Sequence, residues 1–433
     1  MFGMRGTGDW AENERPESWR QGILRLYPNG TAPLTAILSK LGQEKVTDPK
    51  YHWWTKMLPA QGGAVTEGEV YTDAGMATAL VLDANSAAAV TLFVKVTAAT
   101  AAHFRAGHQV MMRDTDQYVA DITAKCMAVD VAGDNSRITI KLLEADTSSD
   151  TYDLTTCDRI LVVGNINPEG SARPTAIAYD PTEWWNYTQI FRTPLEITRT
   201  AKETTLRTED AYKESKRECL ELHSLEMEKA FLWGYRSQNT GANGKFERTT
   251  MGLVPAILYG SDGTSNVGVT GDYYTDADYD GLTWLQGGED WLDAKLEEMF
   301  RYGRRDKMAF CGSGTILGIN RLIKSAGMYN IEKGEIGYGI KVMNWTTLFG
   351  TIALIIHPLF SYEVTNRNSM VVFEPESLKF RFVTDTIFRK APPMNQSQVS
   401  IDGTVEEYLT EGGLEYHHPN GWGYLNGFNT DNP

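Results

Sequence analysis

The sequence is poor in the residues that build metal sites, disulfide frameworks and hydrolytic centres. Its 4 cysteines (Cys126, Cys157, Cys219 and Cys311) include no CxxC pair in 433 residues, so reduced thiols are predicted in place of a disulfide framework. No two of the 7 histidines have a spacing that would put both imidazoles on one helical face. The chain also lacks an HExxH motif, a phosphate-binding loop and a GxSxG elbow, which argues against the common enzyme classes.

Long hydrophobic runs and a basic excess are also missing. No stretch approaches the roughly 18 apolar residues of a membrane span, and Met1–Glu12 has no signal-peptide core. We therefore expect neither secretion nor membrane insertion. Lys and Arg total 41 against 56 Asp and Glu, a net charge of −15 that disfavours binding to a phosphate backbone.

What is present indicates an α+β protein of two or three compact units. The composition is 42% hydrophobic and 22% charged, as in globular proteins, and 40 glycines with 16 prolines indicate many turns. No repeat or low-complexity tract interrupts the chain. No cofactor is expected.

The first sixty residues have the character of an arm. Pro33 opens a short apolar helix whose stripe is Leu34, Ile37, Leu38 and Leu41. A helix this short is unstable alone, because isolated helices need about 12–15 residues to be even marginal. The stripe must therefore dock on another surface, and a neighbouring subunit is one candidate.

From about residue 88 to 163 the pattern changes to short β-segments. Ile138, Ile140 and Leu142 alternate with polar residues, which is the period of a strand with one buried face. The predicted strands are Val90–Val96, Gln109–Arg113, Tyr118–Asp130, Arg137–Leu143 and Arg159–Val163. This stretch is predicted to be a small β-barrel or sandwich inserted into a longer element.

Two tryptophan pairs flank this insertion. Trp53 and Trp54 lie in one aromatic segment, and Trp184 and Trp185 lie in another. Cross-strand aromatic contacts favour antiparallel pairing of the two segments at the base of a long flap.

A long charged helix is predicted from about Thr208 to Trp233. Thr208 is the expected N-cap, and Gly234 the expected terminator. The main apolar face consists of Tyr212, Cys219, Leu222, Leu225, Ala230 and Trp233. A second apolar patch, made of Leu220, Met227 and Phe231, lies nearly opposite, so the helix is expected to have partners on two sides.

The chain after Gly234 is predicted to form mixed α/β structure. Helices are predicted at Asp290–Tyr302 and Thr315–Ala326, the latter with Ser313 as its cap. The predicted strands are Lys307–Cys311, Thr351–Ile356, Val371–Phe373, Lys379–Val383, Val405–Tyr408, Gly413–His417 and Tyr424–Gly427.

Three features could carry chemistry. Asp276, Asp278 and Asp280 begin like a calcium loop, but the twelfth position is Gly287 where a bidentate glutamate belongs, so an acidic turn is favoured. The segment Gly312–Gly318 follows a strand but has GxGxxxG spacing, which favours a tight turn over a phosphate cradle. The tryptophan pairs could stack sugars or bases, although structural packing or subunit contact is the stronger reading.

The order of elements resembles the Hong Kong 97-type major capsid proteins of tailed phages across essentially the whole chain. Five sequence segments carry the resemblance: Thr31-Ala-Pro-Leu-Thr-Ala-Ile-Leu-Ser-Lys-Leu-Gly42, Gly337-Tyr-Gly-Ile-Lys-Val342, Phe349-Gly-Thr-Ile-Ala-Leu-Ile-Ile-His-Pro358, Val371-Val-Phe-Glu-Pro-Glu-Ser-Leu-Lys379 and Glu411-Gly-Gly-Leu-Glu-Tyr-His-His-Pro419. The resemblance implies an arm at 1–60, an extended loop with its insertion at 61–200, a peripheral domain with the spine helix at 201–281 and 373–433, and an axial domain at 282–372.

The implied function is that of a shell subunit. It would self-assemble through pentamers and hexamers into an icosahedral head around double-stranded DNA, as a virion component built in the host cytoplasm. An acidic inner wall would repel the packed polymer. The implied subunit contacts are Leu34, Ile37, Leu38, Leu41, Trp53, Trp54, Trp184, Trp185, Leu220, Met227 and Phe231.

Some family traits are not expected here. Residues 61–85 and 164–195 contain no lysine, so no loop crosslink between subunits is predicted. Because the arm begins almost at Met1, we expect a separate scaffolding protein and no propeptide; portal and decoration proteins are further possible partners. Two alternatives stay open: a carbohydrate-binding or carbohydrate-active protein that uses the Trp184 region with paired carboxylates, and another virion component of the portal or tail.

Overall fold

The computed structural model describes residues 33–38, 42–57, 61–81, 86–115, 121–146, 154–204, 210–260, 266–326, 331–336, 340–390 and 403–433. The predicted helix residue Leu41 and the predicted cap Thr208 lie outside these ranges. The chain divides into two compact units: a larger one within Met1–Thr55 and Glu183–Pro433, and a smaller one within Lys56–Thr182.

Helices and sheets are both well represented in the described residues, so the predicted α+β class is confirmed. The helices are α1 (Pro33–Leu38), α2 (Ala98–Ala101), α3 (Arg199–Glu203), α4 (Ala211–Trp233), α5 (Leu253–Tyr259), α6 (Trp284–Phe300), α7 (Ser313–Ala326) and α8 (Pro358–Tyr362). None of these helices is long and apolar enough to span a membrane.

The long helix α4 packs on a four-stranded sheet in the larger unit. In spatial order its strands are β1 (Gln43–Lys45), β20 (Leu378–Lys390), β21 (Gly403–Tyr416) and β11 (Gln189–Thr198). β21 is continuous, although two separate strands were predicted there. The ladder to β11 runs unbroken through residues 410–412, where Gly412 also makes room for the Phe380 ring: a Cβ at this glycine would lie 2.6 Å from the ring.

The tryptophan pairs lie on a two-stranded ribbon of the larger unit, as predicted. Its strands are β2 (Lys50–Thr55) and β10 (Thr182–Tyr187). The N–H of Thr188 donates to the carbonyl of Pro49 at 2.8 Å, and His52 contacts Glu183, so the strands run antiparallel. The chain enters the smaller unit after β2 and returns to the larger unit at β10.

A second sheet of the larger unit is mixed and has seven strands. In spatial order they are β14 (Val269–Asp272), β22 (Gly423–Asn426), β19 (Met370–Phe373), β15 (Asp306–Cys311), β18 (Thr351–Ile356), β17 (Ile340–Thr346) and β16 (Ile331–Ile336). Helices α6 and α7 pack on it over a core that includes Trp291 and Phe428. This sheet draws strands from the segments expected to form both the axial and the peripheral domains.

The smaller unit is a seven-stranded antiparallel sheet wrapped around one core. Its order is β3 (Gly62–Ala64), β9 (Arg159–Asn165), β6 (His108–Arg113), β7 (Ile122–Asp130), β8 (Arg137–Leu142), β5 (Thr91–Lys95) and β4 (Val70–Tyr71). Alternate residues such as Ile138 and Ile140 are fully buried, as the period-two pattern predicted. All seven strands contribute to, or border, one apolar cluster, so the sheet is barrel-like with β3 and β4 as its edges.

Candidate subunit-contact surfaces

The ends of α4 follow from local chemistry. The Asp210 carboxylate accepts hydrogen bonds from the N–H groups of Tyr212 and Lys213 at 3.0 and 3.4 Å, which satisfies two donors of the first turn. The observed cap therefore lies two residues after the predicted Thr208, and the helix begins at Ala211. Its end at Gly234 is confirmed, because a Cβ there would lie 2.4 Å from the Ala230 carbonyl oxygen.

The buried face of α4 differs from the predicted main face. Cys219, His223, Met227 and Phe231 recur every four residues and are buried, and the Phe231 ring contacts Phe191 of β11 edge-on at 5.9 Å. Leu222, placed on the main face by the sequence pattern, is 52% exposed. The predicted face was wrong because it was assigned from the apolar residues alone, whereas the buried face also includes the polar residues His223 and Glu228.

His223 is one of these polar residues. Its Nδ1 lies 2.9 Å from the Thr193 hydroxyl, and its Nε2 lies 2.8 Å from the Thr410 hydroxyl, so both ring nitrogens have partners. Burial lowers the pKa of His223, while the nearby Glu226 carboxylate acts in the opposite direction. The ring links the helix to β11 and β21 without a charge in the core.

Glu228 is the second buried polar residue, and it holds the arm. Its carboxylate accepts the N–H groups of Leu34 and Thr35 at 2.7 and 2.8 Å and the Thr35 hydroxyl at 2.6 Å. These are first-turn donors of α1, so a side chain from α4 caps the arm helix. A fourth bond joins Glu228 to His357 Nε2 at 2.8 Å. His357 Nδ1 accepts the Leu359 N–H at 3.2 Å, which puts the ring proton on Nε2.

Burial decides which of the predicted subunit contacts remain. Side chains that are at most 6% exposed have no surface to offer another chain, so the prediction was wrong for Leu34, Ile37, Leu38, Trp53, Trp184, Met227 and Phe231. They belong to the core of their own chain, because α1 docks on α4 and both inward tryptophans pack edge-on against Tyr416. Leu41 lies outside the described residues.

Two of the predicted contacts are exposed, Trp54 at 61% and Leu220 at 41%, and Trp185 is half-buried. As subunit contacts these three stay predictions. Leu222 and the half-buried Leu225 add an apolar strip on the outer side of α4.

The outward side of the β2–β10 ribbon is aromatic and cationic. The Arg236 guanidinium lies 3.5 Å from the centre of the Trp185 ring, and the Lys50 ammonium lies 4.4 Å from it. Arg236 also donates to the Trp185 carbonyl at 2.6 Å. Two cations therefore compete with any sugar for the Trp185 ring, and Trp54 is the most exposed of the four paired tryptophans.

The glycine-rich turn after β15 has no room for a phosphate. The N–H groups of Gly314 and Thr315 donate to the carbonyl of Arg367 at 3.0 and 3.3 Å. A Cβ on Gly312 would lie 2.1 Å from that same oxygen. The predicted tight turn is confirmed, although α7 already begins at Ser313, which therefore is not its cap.

The acidic turn at Asp276 has structural partners of its own. Its carboxylate accepts the Asp278 N–H at 3.2 Å and the Trp291 indole N–H at 2.9 Å. No group of three or more potential ligands that could hold a metal is found in the described part of the chain. The carboxylate thus caps a turn and anchors α6.

The four cysteines are free, as their spacing predicted, and all of them are buried. Burial raises the pKa of Cys126 to about 12 and raises that of Cys311 still further. Neither thiol is poised as a nucleophile.

One family model matches almost the whole chain. A family model described as "SU10 major capsid protein" matches residues 4–429. The major capsid protein of Pseudomonas phage PaMx41 is 26% identical over 378 residues, which cover 85% of this chain and 78% of that protein. Among solved structures, the capsid of a native GTA particle aligns over 97% of both chains with a TM-score of 0.45 and 8% identity. A structure of Mycobacterium phage Bobi aligns over 97% of this chain and 98% of that chain with a TM-score of 0.44 and 8% identity.

Proposed function

Because the chain belongs to the family of SU10 major capsid proteins, we propose that its copies build the icosahedral head enclosing the double-stranded DNA of a tailed phage. At the coarser level, the chain is a structural subunit of a phage capsid. The observation that carries the proposal is the family match over residues 4–429.

The proposed architecture is of the Hong Kong 97 type. In it residues 1–60 form the arm, residues 61–200 form the extended loop with the smaller unit as its insertion, and α4 is the spine helix. The axial domain, 282–372, would surround the centres of pentamers and hexamers. The order of elements along the chain supports these roles, as does the exposed apolar strip on α4.

The proposed partners follow from assembly. They are further copies of the same chain, a separate scaffolding protein, a portal and decoration proteins, brought together in the host cytoplasm. The net charge of −15 supports a wall that contains DNA without adsorbing it. The role is to set shell geometry, and no catalysis is proposed.

Negative-stain microscopy of the overexpressed chain tests the proposal. Closed shells of uniform diameter are the expected result. Rings or tubes would favour a portal or tail subunit instead, and a monodisperse monomer that binds glycans would favour the carbohydrate alternative.

A further inference from the structure

The outer face of the smaller unit's sheet carries an unusual pair of lysines. Lys125 of β7 and Lys141 of β8 are direct cross-strand partners, and both side chains lie on the face opposite the core. Like charges in this position destabilise a sheet, because the two Cβ atoms lie about 4.5–5.5 Å apart. Within the described residues neither lysine has an ion pair that would offset the repulsion.

Exposed apolar side chains surround this lysine pair. Met127 is the extra residue of a bulge in β7, and Val163 is the extra residue of a bulge in β9. Both project outward, as does Leu143 beyond the end of β8. Bulges re-aim side chains and are enriched at functional surfaces. We call Lys125, Lys141, Met127, Leu143 and Val163 the basic face.

Helix α6 of the larger unit carries the complementary pattern. Glu289, Asp290 and Asp293 are exposed on successive turns, and no cation of the described chain forms an ion pair with them. Burial, together with the neighbouring Asp290, raises the pKa of Asp293, as expected for carboxylates crowded without a counter-charge.

An apolar groove adjoins these carboxylates. Glu289 and Asp293 form one wall of a cavity of about 450 Å³ between α6, α7 and the turn after β17. Leu348, which is 92% exposed, stands at its rim. We call Glu289, Asp293 and Leu348, the cavity that they border and the adjacent Asp290 the acidic groove.

From this complementarity we infer that the basic face of one copy docks on the acidic groove of a second copy during shell assembly. The inference rests on the proposed function, since only an assembly brings many copies side by side. A contact between two different patches of one chain is heterologous, and a heterologous contact generates a ring, as a capsomer requires, when the rotation between successive copies closes. Nucleic acid is a poorer occupant, because apolar side chains flank the lysines and the chain carries a net charge of −15.

Charge reversal in the full-length chain tests the contact. The variant Lys125→Glu/Lys141→Glu and the variant Asp290→Lys/Asp293→Lys are each expected to raise the protein concentration needed for assembly about tenfold at low salt. Sedimentation velocity measures the assembled fraction, and circular dichroism checks the fold. The matched control for the lysine variant is Lys45→Glu/Lys245→Glu, which makes the same charge change at exposed lysines elsewhere and is expected to assemble like the wild type.

Mixing the two charge-reversed variants identifies the partner. In an equimolar mixture a reversed face can meet a face of opposite charge on the other variant wherever the two alternate, so assembly of even-membered rings such as hexamers is expected to recover. Recovery only when both reversals are placed in one chain would show a contact within that chain and overturn the inference. Assembly of both single-face variants at the wild-type concentration would overturn it too, while leaving the proposed function intact. A wild-type chain that stays monomeric would contradict the proposed function itself.

Discussion

The arm clasp at Glu228 permits a quantitative prediction. The carboxylate accepts four hydrogen bonds, three from residues Leu34 and Thr35 of α1 and one from His357, at a site with no solvent access. Glutamine in its place keeps one acceptor oxygen. The NH₂ group of the glutamine replaces the other oxygen. In one orientation it faces the N–H and hydroxyl of Thr35, and in the other it faces the Leu34 N–H and His357. In either case one buried backbone N–H loses its acceptor.

The expected cost of Glu228→Gln follows from that count. An unsatisfied buried donor costs about 1–3 kcal/mol, and replacing charge-assisted bonds with neutral ones adds about 1 kcal/mol. We therefore expect the free energy of unfolding to fall by about 2–4 kcal/mol. Urea titration measures the loss, and amide hydrogen exchange should show faster exchange in Pro33–Leu38 than elsewhere in the chain.

The matched control for this experiment is Glu218→Gln, which removes the same charge from an exposed position of the same helix. It should leave stability within about 0.5 kcal/mol of the wild type. If Glu228→Gln behaves like this control and the arm keeps its protection from exchange, the capping account of Glu228 is refuted.

Further predictions concern the core, the outer surface and the loop. Lys307 is fully buried, and its ammonium lies 2.7 Å from Glu374, so Lys307→Met should cost about 3–5 kcal/mol in urea unfolding by leaving that carboxylate unpaired. Burial lowers the pKa of His223 in the folded chain. As pH falls below about 6.5, His223 is therefore protonated in the unfolded chain before it is protonated in the folded chain, and the free energy of unfolding decreases. His223→Gln should flatten that decline; an unchanged slope would contradict it. Leu222→Glu should leave the free energy of unfolding within about 0.5 kcal/mol of the wild-type value, but it should reduce the assembled fraction measured by sedimentation. Purified shells should run as a single monomer band on a denaturing gel, whereas a ladder would reveal a crosslink.

The fold was most predictable where one physical rule acts locally. Strict alternation located β8, and Gly234 marked the end of α4, since a close backbone contact admits no side chain there. The tryptophan pairs indicated the pairing of β2 with β10 before any contact was known. In these places sequence neighbours or simple periodicity carry the information.

The candidate contacts were less predictable because burial depends on distant partners. Met227 and Phe231 were assigned to a second patch opposite the main buried face, yet they are buried in the core, while Leu222 of the predicted main face is exposed. Glu228 was overlooked because a carboxylate is buried only when several donors converge, and here they come from residues 34, 35 and 357. One signal was available: His223 stands midway between Cys219 and Met227 at four-residue spacing, so a polar residue interrupts an otherwise apolar row.

A high-resolution electron microscopy reconstruction of the assembled particle would decide whether this chain builds a capsid as proposed. We expect a closed icosahedral shell in which Trp54 and Leu222 are covered by neighbouring copies, while Glu228 still binds α1 of its own chain. Particles without icosahedral symmetry, or a closed shell in which both side chains remain exposed to solvent, would contradict it.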